Sequence, residues 1–248
     1  VVRGFGVVNM KRSNLNNIML NTYRHDDIRL LKSNKDNIGV ELGVATGVFS
    51  LRMVESGYFS SFFGVDMYAD MHNVDEYKEA LKKVGLHGKY KLLRMTFDEA
   101  YDLFKDESLD FIYIDGYAHN GENGGETIFE WAKKVKIGGV ISGDDYHKDW
   151  PLVMEAVDEF VKLSGFSLNL TSNIEDDPYC LYPSWAVVKK TNTSSLYSPK
   201  YLIKKSALLK RPKRKITFYV ASFLQYFLSK KVVGYLKLIK NRISSMRN

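Results

Sequence analysis

The chain has 248 residues, 45% of them hydrophobic and 13% aromatic, enough for one large folded domain plus an appendage and too apolar for a disordered protein. Its single cysteine, Cys180, excludes an intramolecular disulfide and a cysteine-rich zinc site and predicts a reducing, cytoplasmic setting, as does the lack of any secretory-signal pattern near Val1. The net charge of +7 hides a division: residues 1–177 hold 20 Lys and Arg against 29 Asp and Glu, whereas 178–248 hold 16 Lys and Arg and no acid, so an acidic domain (1–190) is followed by a basic tail (191–248).

In chain order, residues 13–33 show a weak helical pattern through Leu15, Ile18, Met19, Ile28, Leu30 and Leu31 and are predicted as one or two helices. A short strand follows at 38–42, then a turn of small residues, a helix from about Phe49, and a strand at 62–65 that ends in Asp66. Helices at 71–84 and 98–104 flank a strand at 90–93, and the apolar run 109–115 reads as a buried central strand. Residues 126–135 are predicted helical with Gly138-Gly139 as the stop, 140–142 as a strand ending in Asp144-Asp145, and 151–163 as a helix opened by Pro151. Strands at 166–170 and 185–188 close the domain. The alternation predicts an α/β fold, a Rossmann-like doubly wound, mostly parallel sheet, with the last two strands as an antiparallel edge hairpin.

Glu41-Leu42-Gly43-Val44-Ala45-Thr46-Gly47 reads as strand, tight turn and helix start, and Gly43, Ala45 and Gly47 let a ligand approach the backbone amides. Asp66, 19 residues beyond Gly47, stands where a carboxylate accepts both hydroxyls of a ribose. Glu41 would repel a pyrophosphate, which disfavours a nicotinamide cofactor. S-adenosylmethionine carries an ammonium and a sulfonium instead, and an acid beside the turn suits both. The plainer alternative is a turn of any α/β domain with Glu41 as a solvated strand-end acid.

Asp115, and Asp144 with Asp145, fall at the ends of neighbouring strands. Three converging carboxylates call for a cation, and hard oxygen donors suit Mg²⁺ or another divalent ion that would activate a substrate hydroxyl, though each acid taken singly also reads as a strand-end cap. His119 lies in a glycine-rich loop, 116–125, and is a candidate general base beside Asp115, with His147 as competitor. Tyr146 and Trp150 read equally as core contacts or as a platform for a sugar ring.

Together the core Glu-Leu-Gly-Val-Ala-Thr-Gly, the run from Leu109 to His119 and the run from Gly138 to His147 resemble the metal-dependent O-methyltransferases of the class I superfamily, in the branch of macrocin O-methyltransferase and cephalosporin hydroxylase relatives. The resemblance covers about 35–190. It implies that Glu41, Gly43, Ala45 and Gly47 border the methionine end of S-adenosylmethionine, that Asp66 holds the ribose and Met95-Thr96-Phe97 approaches the adenine, that Thr46, Met67 and Asp115 also bind the cofactor, and that Asp115, Asp144 and Asp145 bind the metal. In the family pattern one residue separates the Asp-Gly pair from the histidine; here Tyr117 and Ala118 both do. A metal-dependent hydroxylase-like relative and an inactive binding module remain as alternatives.

The tail opens with a linker (Ser194, Ser195, Ser198, Pro199) and a basic cluster (Lys204 to Lys215). An apolar, aromatic run at 216–228 is too short to span a bilayer, and Val232, Tyr235, Leu236, Ile239 and Ile243 share one face of an amphipathic basic helix. An anionic membrane surface fits this pattern best, on the inner face of a membrane. Docking on the catalytic domain or on a second copy of the chain is left open, and nucleic acid is disfavoured because the apolar stripes have no use there. A membrane-held O-methyltransferase suggests a sugar, glycan or related polyol hydroxyl as acceptor.

Overall fold

The computed structural model describes residues 17–20, 22–32, 36–69, 71–173 and 181–209. Its strands are β1 (Asn17–Leu20), β2 (Asn37–Leu42), β3 (Phe59–Val65), β4 (Tyr90–Leu93), β5 (Leu109–Ile114), β6 (Val135–Gly143), β7 (Leu168–Thr171) and β8 (Trp185–Val188). They form one sheet in the order β1-β7-β8-β6-β5-β2-β3-β4. Every pairing is parallel except those of β8, which runs antiparallel to both β6 and β7. The expected doubly wound, mostly parallel α/β fold is therefore the one observed.

Side chains of β5 alternate between two buried layers, as period-2 geometry requires. Ile112 and Ile114 face the layer formed with Phe129, Val157 and Phe160 of the helices Glu126–Lys134 and Pro151–Ser164. Phe111 and Tyr113 face the other, with Phe49 and Met53 of the helix Val48–Glu55. Local chemistry fixes the helix ends. Asn73 accepts hydrogen bonds from the amides of Asp75 and Glu76 while Glu76 caps back to Asn73, Pro151 occupies the first turn of its helix, and Gly165 ends that helix in the left-handed region.

Four expectations need correction. Residues 17–20 form an edge strand on β7, with only Arg24–Leu30 as a short 3-10 helix, because pairing with a distant strand outweighs a weak helical pattern. The helix placed at 71–84 begins at Val74 and passes into one π-helical turn, Leu81–Gly85. Gly138 and Gly139 lie inside β6 rather than stopping the preceding helix. The β7–β8 pair is antiparallel as expected, yet β1 lies outside it.

The chain forms one unit as far as Ser206, and beyond β8 the side chains of Thr193 and Leu202 are buried. Among the described residues no helix is long and apolar enough to cross a membrane. The basic cluster begins inside the described helix Lys200–Leu209, where Lys205 pairs with Glu155; Cys180, Leu15 and the tail from Lys210 onward, with the rest of that cluster and the amphipathic patterns, lie outside the described residues.

Candidate active site

The carboxyl ends of β6, β5, β2 and β3 lie side by side along one edge of the sheet. The chain leaves β2 toward β3 on one side and reaches β5 on the other, so a crevice opens between β2 and β5, the usual ligand position in such sheets. Gly43 sits at that switch with φ +93°, and a Cβ there would stand 1.7 Å from the carbonyl oxygen of Asp115. Only glycine lets the two strand ends approach so closely.

Asp66 organises the turn. Its Oδ2 accepts the amides of Val44 (2.9 Å) and Ala45 (3.1 Å) and lies 2.6 Å from Nδ1 of His72, while Oδ1 accepts the Tyr68 amide at 2.9 Å. Against the upward push of burial, the His72 hydrogen bond and charge and the Tyr68 and Val44 amides hold this carboxyl below the usual range. Gly47, also at positive φ, packs on Val84 and Ala80, so it shapes the helix start rather than the pocket wall.

Glu41 is not the solvated acid of the plainer reading. It is 2% exposed, hydrogen-bonded by the Ser50 hydroxyl, which itself lies 2.8 Å from the Tyr90 hydroxyl. Burial pushes its pKa up to about 8, with Ser50 and Arg24 opposing and Asp66 adding to the rise. A group so placed favours its protonated form more than a solvated carboxylate does.

The strand-end acids do converge, but around an arginine. Nη1 of Arg24 lies 3.7 Å from Oδ2 of Asp115 and 3.5 Å from Oδ2 of Asp144. Oδ1 of Asp144 accepts the Ser184 hydroxyl at 2.9 Å, and Ser184 is 2.9 Å from the Tyr113 hydroxyl. Asp144 is thus turned inward, whereas Asp115 and Asp145 line the crevice. Burial and the charge of Asp144 raise Asp115 well above the usual carboxylate range, with Arg24 opposing, and burial with Asp144 and Glu122 takes Asp145 to about 8. Among the described residues no group of three or more acids and histidines is disposed to hold a metal. The expected ligand set of Asp115, Asp144 and Asp145 does not fit a divalent ion as it stands, because a guanidinium already lies between two of its members.

Two adjoining cavities meet at Gly43, His72, Asp115 and Gly116. The smaller, about 40 Å³, is lined by Asp66, Met67, Met95, Thr96 and Phe97. Thr96 also caps the helix Phe97–Tyr101, its hydroxyl bonding to the Glu99 carboxylate. The larger, about 290 Å³, brings Glu41, Ala45, Thr46 and Asp115 together with His119, Asp145, Trp150 and Tyr182. The His119 ring meets the Trp150 ring edge to face at 4.8 Å, so Trp150 is a wall of the cavity. Tyr146 instead donates to Asp158. His147 stacks on Tyr182 outside the cavity wall, which leaves His119 as the better placed histidine. Its loop is held from within by Glu122, 1% exposed, which accepts the Tyr117 amide at 3.2 Å and which burial raises to about 7.

Residues 37–146 match the family described as a methyltransferase domain. The matched stretch, less than half of the chain, resembles a methyltransferase domain and agrees with the class I, S-adenosylmethionine-dependent kind expected from the sequence. Among solved structures, an O-methyltransferase of Bacillus cereus in complex with SAH shares 18% identity at a TM-score of 0.46, over 66% of this chain and 77% of that one. A precorrin-6y C5,15-methyltransferase of Geobacter metallireducens shares 19% at 0.47, over 66% and 85%. A cofactor-bound MTB protein, Rv0187, shares 11% at 0.48, over 63% and 75%. Likeness at this level says nothing of substrate. No curated protein matches the chain significantly.

Arg24, His72, Glu122 and Tyr182 escaped the sequence reading. His72 follows Asp66 by six residues, and a histidine so close behind a ribose-type acid was a usable signal. Arg24 is 120 residues from Asp144, a separation that no local pattern bridges.

Proposed function

We propose that the methyltransferase domain moves a methyl group from S-adenosylmethionine to the hydroxyl of a sugar, glycan or related polyol, in keeping with the macrocin O-methyltransferase resemblance. The observation that carries this reading is the meeting of two cavities at Gly43, Asp115 and Gly116. One is narrow and rimmed by Asp66, Met67 and Thr96; the other is wider and walled by His119, Trp150 and Tyr182.

When bound, S-adenosylmethionine supplies an electrophilic methyl on a sulfonium. The chain's own groups do the rest. The small residues of the turn admit the donor, Asp66 keeps the turn in shape, and Glu41, once ionised, faces positive charge. Trp150 and Tyr182 offer flat apolar surface to a ring, and His119 stands ready to take the hydroxyl proton as the oxygen attacks. One O–H and one S–C bond break, one O–C bond forms, and S-adenosylhomocysteine leaves. Much of the rate follows from aligning oxygen, carbon and sulfur in line.

The test is calorimetry of the full chain with S-adenosylmethionine and with nicotinamide cofactors, followed by detection of S-adenosylhomocysteine across a panel of sugars. Binding of the nicotinamide alone would defeat the reading, and so would methyl transfer only to carbon or nitrogen acceptors. The tail is proposed, on its sequence alone, to hold the enzyme at an anionic membrane. Co-sedimentation with phosphatidylserine vesicles that fails at low ionic strength would dismiss that.

A further inference from the structure

We propose that Arg24 takes the place the sequence assigns to a divalent cation: its guanidinium is the resident positive charge of the Asp115–Asp144 pair, and it positions Asp115 for the acceptor cavity without a metal held by those acids. The inference rests on reading this crevice as the methyl-transfer site, but its test does not.

Geometry comes first. A single guanidinium nitrogen stands within 3.7 Å of one carboxylate and 3.5 Å of the other, and both Arg24 and Asp144 are only 3% exposed. An arginine so buried is held there by partners, since an unpaired buried charge is costly. The Phe49 ring supplies a third contact, 5.5 Å from the guanidinium carbon, and it is itself stacked on Tyr113 at 4.0 Å. A planar, delocalised cation that never loses its proton suits a place between two carboxylates and an aromatic face.

The commitments of Asp144 point the same way. One of its oxygens faces Arg24 and the other accepts the Ser184 hydroxyl, so binding a metal would break one or both of these contacts. Mg²⁺ requires near-octahedral oxygen ligands at about 2.0–2.1 Å. An ion bridging Asp115 and Asp144 would press against the guanidinium, a like charge in a place of low dielectric.

Arg24 itself lines the larger cavity and contacts Asp115, which lines both. Toward Asp115 it is a positioning residue, and it comes from the short 3-10 helix Arg24–Leu30, before the matched stretch 37–146.

Mn²⁺ alone, followed by electron paramagnetic resonance on the full chain, reads the claim directly. The unaltered protein is expected to bind no Mn²⁺ tighter than about millimolar and to keep its turnover in EDTA. Arg24→Gln removes the charge and should tighten Mn²⁺ binding at least tenfold, while Arg24→Lys keeps a charge without the fork and should still exclude the ion. One Mn²⁺ bound per unaltered chain at micromolar concentration and lost in Asp115→Asn would overturn the proposal. Turnover abolished by EDTA and restored by Mg²⁺ would do the same. If Arg24→Gln does not fold, the unaltered protein and Arg24→Lys decide the matter. S-adenosylmethionine calorimetry run alongside shows separately whether the methyltransferase reading stands.

Discussion

Replacing Asp66 with asparagine tests whether this acid holds the cofactor turn before any ligand arrives. In the native protein its carboxylate accepts three backbone amides at 2.9–3.1 Å and contacts His72 at 2.6 Å, all at 4% exposure. Hydrogen bonds to a charged, buried acceptor are worth about 1.5–3 kcal/mol each. With its carbonyl in the place of Oδ2, asparagine keeps the Val44, Ala45 and His72 contacts without their charge and turns an NH₂ group toward the Tyr68 amide, so one bond is lost, the others weaken, and stability should fall by roughly 3 kcal/mol. Against a total of about 5–15 kcal/mol that loss is large, and urea denaturation measures it. The sign with pH follows from the lowered pKa of Asp66. Its contribution is fully present above the unfolded carboxylate value and is lost as pH falls through the lower folded one, so the asparagine variant should lose less stability than the native protein on acidification below about pH 4. A variant whose urea midpoint and acid dependence match the native protein would refute the reasoning, even if cofactor binding were lost.

Three further outcomes are expected. Glu41, raised to about 8, favours the protonated folded state, so its stabilising effect is present at acidic pH and lost as pH rises through about 8. Binding of cationic S-adenosylmethionine at pH 7 should release a proton and tighten toward pH 8. Calorimetry in phosphate and in Tris reads the release, and Glu41→Gln should reduce it; equal heats in both buffers for the native enzyme would contradict the argument. His119→Ala should lower kcat by about 10²–10⁴ while leaving S-adenosylmethionine affinity unchanged, and an unaltered kcat would hand the base role to another group. Gly43→Ala, whose Cβ would lie 1.7 Å from the Asp115 carbonyl, should part β2 from β5 at the crevice and abolish cofactor binding, with the melting temperature falling as well.

Much of this was legible locally. The runs around β2, β3, β5 and β6 are apolar, of strand length, and punctuated by glycine or aspartate, so both the sheet and the order of residues along its edge followed from nearest-neighbour patterns. What stayed hidden depends on packing. β1 exists because β7 offers it an edge, which nothing within four residues of Ile18 encodes. That Thr96 also caps a helix depends on where that helix begins. Glu41 could be seen as an acid but not as a protonated one, since burial under Ser50 and Tyr90 is a property of the folded state. Asp115 and Asp144 stand beside one cation, which comes from a segment with no chemical motif of its own.

That segment has a consequence for dividing the chain. A fragment cut at Asn37, where the matched stretch begins, would retain the bend, Glu41, Asp66, Asp115, Asp144 and Asp145 while discarding β1 and the guanidinium beside two of those acids. The border of the matched stretch thus runs through the middle of an electrostatic unit, and a minimal folded piece of this protein must start upstream of it.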